Sequence, residues 1–261
     1  MTEHKIVSQS EWVAARKDLL AKEKEFTQQR DALSAERRNL PWVKVDKEYV
    51  FDTPDGKKTL AELFGRKSQL IVYHFMFGPN WEEGCPSCSL LGDHFDGSVI
   101  HLAHRDVALQ VISRAPLDQI EAFKKRMGWK FPWASSYEND FNYDFHVSFT
   151  PEERAKAEGK VYYNYGLIAF PSEEGPGLSV LYKDEDGTIY HTYSTFARGL
   201  DILIGAYNFL DLAPKGRDEE KLKHTMAWVR HHDKYSDGEL VDINKTYSQS
   251  KTIGSGNGET R

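Results

Sequence analysis

The two cysteines of the 261-residue chain, Cys85 and Cys88, lie close together in the stretch Gly-Cys-Pro-Ser-Cys. Thiols at this spacing either form a reversible disulfide or bind a soft metal ion as thiolates. Two cysteines are too few to stabilise a chain of this length by disulfide bonds. The pair is therefore expected to be catalytic or metal-binding rather than structural.

The segments on either side indicate how the pair is positioned. Residues 70–77 form a nearly continuous apolar run, which predicts a central strand covered on both faces. A helix is expected to follow as far as His104, with Cys85 at its start and Pro86 in its first turn. Free amide groups at a helix start favour thiolate over thiol. Cys85 is thus the predicted attacking thiolate and Cys88 the resolving thiol.

Longer stretches around the motif resemble known proteins. The run "YVFDTPDGKKTLAELFGRKSQLIVYHFMFGPNWEEGCPSC" resembles the front half of a thioredoxin or peroxiredoxin fold. The stretches "FGPNWEEGCPSCS", "HLAHRDVALQVISRAP", "SSYENDFNYDFHVSF" and "YHTYSTFARGLDILIGAYNFLDLAPKGRDE" resemble a bacterial thioredoxin-like family of unknown function. The resemblance spans residues 12–235. It implies an α/β, thioredoxin-like fold, a central mixed sheet flanked by helices, but no particular reaction.

The chain departs from ordinary members of these folds at two places. A thioredoxin has a cis-proline before the strand that faces its cysteines, and Pro176 is the candidate here. The Thr-x-x-Cys signature of a peroxiredoxin is absent, since Asn80 to Gly84 occupies that region. Dithiol–disulfide exchange is therefore favoured over peroxidase chemistry.

His74 lies on the strand that leads to the motif. It is expected either to be a hydrogen-bonded core histidine or to lie near the thiols as a base. With Cys85 and Cys88 it would form a ligand set for copper, zinc or iron, whereas the redox hypothesis requires no cofactor. His101 and His104 complete a zinc-like spacing, but a continuous helix of about 24 Å would keep them from the thiols.

Three further residues are candidates for shaping the site. Trp81 precedes Cys85 by four residues and is placed either to cap the thiols or to pack in a loop. Asp144 and His146 lie in "NYDFH", where they would form part of a network around the site or simply stabilise a turn.

Composition and pattern divide the chain into four parts. Residues 1–41 form a helical extension whose large apolar residues recur every seven positions; they are Trp12, Leu19, Phe26, Leu33 and Leu40. This stripe is expected to pack on the body of the chain or to form a homodimer. Residues 42–213 are the predicted thioredoxin-like domain, 214–235 a C-terminal helical segment and 236–261 a disordered tail.

Bulk properties restrict the function classes. The formal charge of −6 and the sequence pI near 5.9 argue against nucleic-acid binding. No apolar run approaches the ~20 residues of a membrane span, so we expect a soluble cytoplasmic protein without a membrane partner. The leading hypothesis is a thiol–disulfide oxidoreductase served by a cellular thiol reductant or a small oxidised substrate. A metal-dependent protein and a non-catalytic small-ligand module are the alternatives.

Overall fold

The structure is a computed structural model that describes residues 4–156 and 158–235. The strands within these ranges are Val43–Lys44 (β1), Val50–Thr53 (β2), Gly56–Thr59 (β3), Gln69–His74 (β4), Val107–Ser113 (β5), Trp133–Ser135 (β6), Lys160–Tyr163 (β7), Gly166–Ala169 (β8), Gly177–Lys183 (β9) and Ile189–Phe196 (β10). The helices are Gln9–Arg38 (α1), Leu60–Leu63 (α2), Pro86–Gly92 (α3), Asp96–His104 (α4), Leu117–Arg126 (α5), Phe141–Asp144 (α6), Pro151–Lys156 (α7) and Gly205–Leu210 (α8). A 3₁₀ helix at Ala197–Leu203 precedes α8.

The strands form one large mixed sheet in the order β1-β10-β9-β4-β5-β6-β2-β3, and β7 and β8 form a separate hairpin. β4 pairs in parallel with β5 and antiparallel with β9, which forms a hairpin with β10. A parallel βαβ unit joined to an antiparallel hairpin, with the cysteines after the central strand, confirms the predicted thioredoxin-like fold.

β4 separates two packed layers because successive side chains of a strand point to opposite faces. Tyr73 belongs to the core cluster that contains Cys88 and Trp133. Leu70 and Val72 belong to a second cluster on the other face. The central position explains the continuous apolar run, since both faces are buried.

The long N-terminal helix begins with a capping box between Ser8 and Glu11. None of its residues is buried. Trp12, Leu19, Phe26 and Leu33 are between 47% and 65% exposed. The expectation that this stripe packs along the body of the same chain is therefore wrong for the described structure.

Several local predictions need correction. The segment after the cysteines forms two helices, α3 and α4, rather than one, because the chain turns at Asp93 after Gly92. Residues 214–235, predicted as a C-terminal helical segment, form turns and bends instead of a helix. The predicted disordered tail, 236–261, lies outside the described residues. No helix in the described ranges has both the length and the apolar character needed to cross a membrane.

Candidate functional site

The backbone around the cysteines is fixed by β4 and α3. The amide of Cys85 donates to the carbonyl of Met76 at 3.0 Å, and the Cys85 carbonyl accepts from the Ser89 amide at 2.9 Å. Pro86 is the first residue of α3, as predicted, so no backbone donor is lost there. Cys85 is partly buried and Cys88 is buried, and both are free thiols.

The two thiols differ in their electrostatic surroundings. A hydrogen bond from the Cys88 thiol lowers the pKa of Cys85 to about 7, and the amides of Cys88 and Ser87 act in the same direction. These amides act without a conventional capping hydrogen bond to the sulfur. Burial raises the pKa of Cys88, and its bond to Cys85 adds to this effect. Near neutral pH, Cys85 is thus the thiol with the larger thiolate fraction.

Two buried tyrosines, Tyr73 and Tyr163, lie within electrostatic reach of the inner thiol, and neither was predicted from the sequence. The Tyr73 phenol faces Cys88 and favours its thiolate, which lowers the pKa of the thiol against the larger effect of burial. Tyr163 lies within electrostatic reach of Cys88, which contributes to the raised pKa of its phenol, although burial is the larger cause. Burial therefore opposes ionisation of Cys88, and the Tyr73 phenol favours it.

Trp81 lies in the loop before Cys85 and packs against the same cluster as both cysteines. Its indole N–H donates to Glu173 Oε1 at 3.0 Å. A side chain at Gly78 would approach the indole nitrogen to 2.8 Å, so this glycine makes room for the tryptophan. The expectation that Trp81 packs in its loop describes these contacts, and capping of the thiols stays a prediction.

Pro176 directly precedes β9, and its carbonyl accepts a 2.6 Å hydrogen bond from the Tyr163 hydroxyl. The peptide bond before Pro176 is trans, as are the other peptide bonds of the described residues. A proline thus precedes β9, as expected, but its peptide bond is trans and not cis.

His74 does not lie with the cysteines. It faces the opposite layer, where its ring stacks on Phe141 at 5.6 Å and its Nε2 lies 2.9 Å from Ser179 Oγ. The chain of bonds continues through Ser194 to His191, with separations of 2.8 and 2.7 Å. Burial lowers the pKa of His74 to about 3. His74 is a core histidine, and the hypothesis that it acts on the thiols is wrong.

The structure does not bring the candidate metal ligands together either. The described residues contain no group of three or more His, Cys, Asp or Glu side chains arranged to hold a metal ion. Cys85, Cys88 and His74 are divided between the two faces of β4. His101 and His104 are exposed at the end of α4, away from the thiols despite the helix break after Gly92.

Asp144 and His146 also lie apart from the thiols. Asp144 binds Lys47 Nζ at 2.7 Å and the Tyr49 hydroxyl at 2.8 Å. His146 is exposed, has a left-handed φ of 54° and packs edge-on against Tyr162. The turn interpretation of "NYDFH" fits this geometry, and a network joining these residues to the site does not form.

The C-terminal segment supplies a residue that sequence reasoning missed. His231 is 3% exposed, and its Nε2 lies 2.7 Å from the carbonyl oxygen of Gly84. The Glu83 carboxylate, two residues before Cys85, pairs with Arg126 at 2.6 Å and with Lys234 at 2.6 Å. The adjacent run His-His-Asp-Lys is the sequence signal, but nothing in it specifies a partner so distant along the chain.

A second missed group lies before Pro176. Glu174 is 1% exposed, accepts from Arg114 Nη1 at 2.8 Å and accepts from the Ser148 hydroxyl at 2.6 Å. Burial raises the pKa of Glu174 to about 7, although Arg114 and Ser148 favour the ionised form. This carboxyl group therefore changes charge near neutral pH.

A cavity of about 1290 Å³ opens beside Pro176. Its lining includes Ala197, Tyr207 and Met226 together with side chains of both charges, such as Arg198 and Glu220. Neither cysteine lines it. The cavity is large enough for a small polar molecule or a short peptide segment.

Residues 1–235 match the family model described as "Bacterial protein of unknown function (DUF899)". The chain belongs to this family. The family match spans the long helix, the cysteine loop and the His231 segment, so DUF899 as a unit includes all the site elements described above.

Comparison of solved structures gives more distant similarities for this DUF899 protein. A cysteine-to-serine mutant of Xanthomonas campestris peroxiredoxin Q is 14% identical over 61% of this chain and 90% of its own, with a TM-score of 0.40. Peroxidoxin BcpB from Mycobacterium tuberculosis is 13% identical over 64% of this chain and 94% of its own, with a TM-score of 0.42. A hypothetical protein from Sinorhizobium meliloti 1021 is 15% identical over 58% and 73%, with a TM-score of 0.34. No curated protein matches the chain.

Proposed function

We propose that this protein is a thiol–disulfide oxidoreductase in which Cys85 attacks and Cys88 resolves. The observation that supports this most directly is the asymmetry of the pair. Cys85 is partly exposed with a pKa lowered to about 7, whereas Cys88 is buried with a raised pKa. An accessible, acidic thiol beside a buried, basic one matches the division of labour in thiol exchange.

The reaction has two displacement steps. The Cys85 thiolate attacks one sulfur of a substrate disulfide, forms a mixed disulfide and releases the other substrate sulfur as a thiolate. Cys88 then loses its proton and attacks Cys85 Sγ, which releases the second substrate thiolate and leaves the Cys85–Cys88 disulfide. Two electrons pass to the substrate, and each released thiolate takes up a proton. A dithiol of the cellular thiol pool restores the reduced pair by the reverse exchange.

The residues around the pair have separate roles in the two steps. Tyr73 donates its hydrogen bond to Cys88 as that sulfur ionises for the resolving step. Trp81, held by Glu173, packs against the core cluster that contains Cys88. Ionic pairing of Glu83 with Arg126 and Lys234 keeps an uncompensated negative charge away from the attacking thiolate.

The test uses oxidised glutathione as a small disulfide probe. Reduced protein should take up two alkylating groups, and protein treated with the probe should take up none, as read by intact mass. Cys88→Ser should stop at a mixed disulfide that carries one glutathione, and Cys85→Ser should form none. The proposal fails if the wild-type pair remains fully alkylated after exposure to the probe.

The cavity beside Pro176 favours one second candidate, a binding module for a polar small molecule. Its lining excludes both cysteines, so ligand binding there would not need them. This candidate predicts that a Cys85→Ser, Cys88→Ser double variant retains ligand affinity, whereas the oxidoreductase proposal predicts loss of all exchange.

A further inference from the structure

The peptide group between Gly84 and Cys85 is hydrogen-bonded at both ends. Its N–H donates to the Met76 carbonyl at 3.0 Å, and its C=O lies 2.7 Å from His231 Nε2. A peptide group is planar, so two bonds in opposite directions fix its rotation. The Cα atom of Cys85 lies in the same plane, so the direction in which its side chain starts is fixed as well.

The tautomer of His231 follows from the groups beside its two ring nitrogens. Nδ1 lies 3.4 Å from Glu83 Oε2, but Arg126 is closer and decides its role. Arg126 Nη2 lies 2.9 Å from His231 Nδ1, and a guanidinium group is only a donor. Nδ1 therefore accepts, and a neutral ring carries its proton on Nε2. That proton points at the Gly84 carbonyl, which is only an acceptor.

The ring of His231 is held from several sides. It packs edge-on against Phe123 at 5.3 Å, and the neighbouring Asp233 binds Arg126 Nε at 2.9 Å. Lys234 Nζ pairs with Glu83 at 2.6 Å. The segment 231–234, which we call the C-terminal strap, thus contacts both residues that directly precede Cys85.

We propose that His231 is a positioning residue for Cys85: through the Gly84 carbonyl it fixes the peptide plane from which the attacking sulfur projects at the start of α3. The proposal rests on the proposed role of Cys85 as the attacking thiol. Without the bond from His231, the peptide group rotates and the sulfur leaves its position at the start of α3. The thiolate fraction of Cys85 then falls at a given pH.

The test measures the pH dependence of alkylation by iodoacetamide in a Cys88→Ser background, where Cys85 is the sole cysteine. His231→Phe keeps a ring against Phe123 and removes the donor, whereas His231→Gln removes the ring and keeps a donor near the Nε2 position. We expect His231→Phe to raise the apparent pKa of Cys85 by about one unit, which makes alkylation roughly tenfold slower on the acid side. His231→Gln should restore most of the rate.

His232 provides the matched control on the same strap. Its Nδ1 binds Asp93 at 2.7 Å and makes no contact with Gly84, so His232→Ala should leave the alkylation profile unchanged. An unchanged profile in His231→Phe overturns the proposal, and so does an equal shift in His231→Phe and His232→Ala. Alkylation requires no disulfide substrate. A failure of the oxidoreductase proposal would therefore appear in the glutathione experiment and leave these profiles as expected.

Discussion

Tyr73 and His74 are consecutive residues of β4 that face opposite layers, so that the phenol reaches Cys88 and the imidazole reaches Ser179. Both side chains are almost fully buried, at 1% and 0% exposure. One strand thus supplies a hydrogen-bond donor to the thiol pair and a neutral histidine to the opposite core.

Tyr73→Phe should slow the resolving step and leave the attack by Cys85 largely unaffected. The Cys88 thiolate loses its phenol donor, and hydrogen bonds to charged groups contribute about 1.5–3 kcal/mol. We expect resolution to slow by about tenfold or more, with a glutathione mixed disulfide accumulating in rapid-quench mass spectra. Tyr182→Phe is the matched control, because Tyr182 packs on Trp42 at 5.0 Å. Equal lifetimes of the mixed disulfide in Tyr73→Phe and wild type would contradict this role.

His74 and Glu174 should impose opposite pH dependence on stability. The unfolded chain protonates His74 near pH 6.5 and the folded chain only near pH 3, so this residue costs stability as the pH falls below 6.5. The folded chain keeps Glu174 protonated up to about pH 7 and the unfolded chain only up to 4.5. Glu174 therefore contributes stability below pH 4.5 and loses it as the pH rises through 7.

Single substitutions should separate these two effects. His74→Gln keeps a donor for Ser179 and removes the histidine titration, so that Glu174 alone remains. Stability of this variant should therefore fall by about 2 kcal/mol as the pH rises from about 5 to 6.5. Glu174→Gln should show the reverse slope over the same interval. Urea unfolding at the two pH values measures both. Parallel profiles for the two variants would show that these groups do not control the pH dependence.

Gly84→Ala should destabilise the cysteine loop. An added methyl group would lie 2.7 Å from the Phe75 ring and 2.8 Å from the Phe123 ring, both in the packed core. Overpacking of this kind costs about 1–3 kcal/mol. Gly97→Ala is the comparison, because the corresponding methyl group in α4 meets nothing within 4 Å. Thermal unfolding of both variants checks this difference in stability. Equal unfolding midpoints would show that the Phe75 and Phe123 rings move aside freely.

We propose that the exposed stripe of α1 pairs with a second copy of the chain. The helix carries seven basic and six acidic residues, a mixed pattern that suits a copy of itself better than a strongly charged partner. We expect a solution mass of about twice 30.0 kDa by light scattering. A Leu19→Glu, Phe26→Glu variant should be monomeric, and Leu212→Glu, at a site that is 84% exposed, should remain dimeric. A monomeric wild-type protein would exclude this pairing.

The sequence predicted the parts of the site that local patterns encode. The apolar run before the motif and the position of Pro86 were sufficient to place Cys85 at the start of a helix after a central strand. Which face His74 occupies was not predictable in this way, because the apolar run is continuous and does not show which side holds the cysteines. The partnership of Tyr73 with Cys88 was missed for the same reason.

Long-range contacts escaped sequence reasoning altogether. The turn-forming segment around His231 has no apolar periodicity, so it gave no sign of burial. The ion pairs of Glu83 depend on Arg126 and Lys234, which lie 43 and 151 positions away along the chain. Such pairings follow from the completed packing and not from spacing.

The bond between His231 and Gly84 joins residues that are 147 positions apart. At a synthesis rate of about 5–20 residues per second, His231 is made roughly 7–30 s after Gly84. A nascent chain therefore carries both cysteines well before the strap that completes their turn. Maturation of the Cys85 thiol is tied to synthesis of almost the entire family domain, and a chain interrupted before His231 would present its cysteines without this constraint.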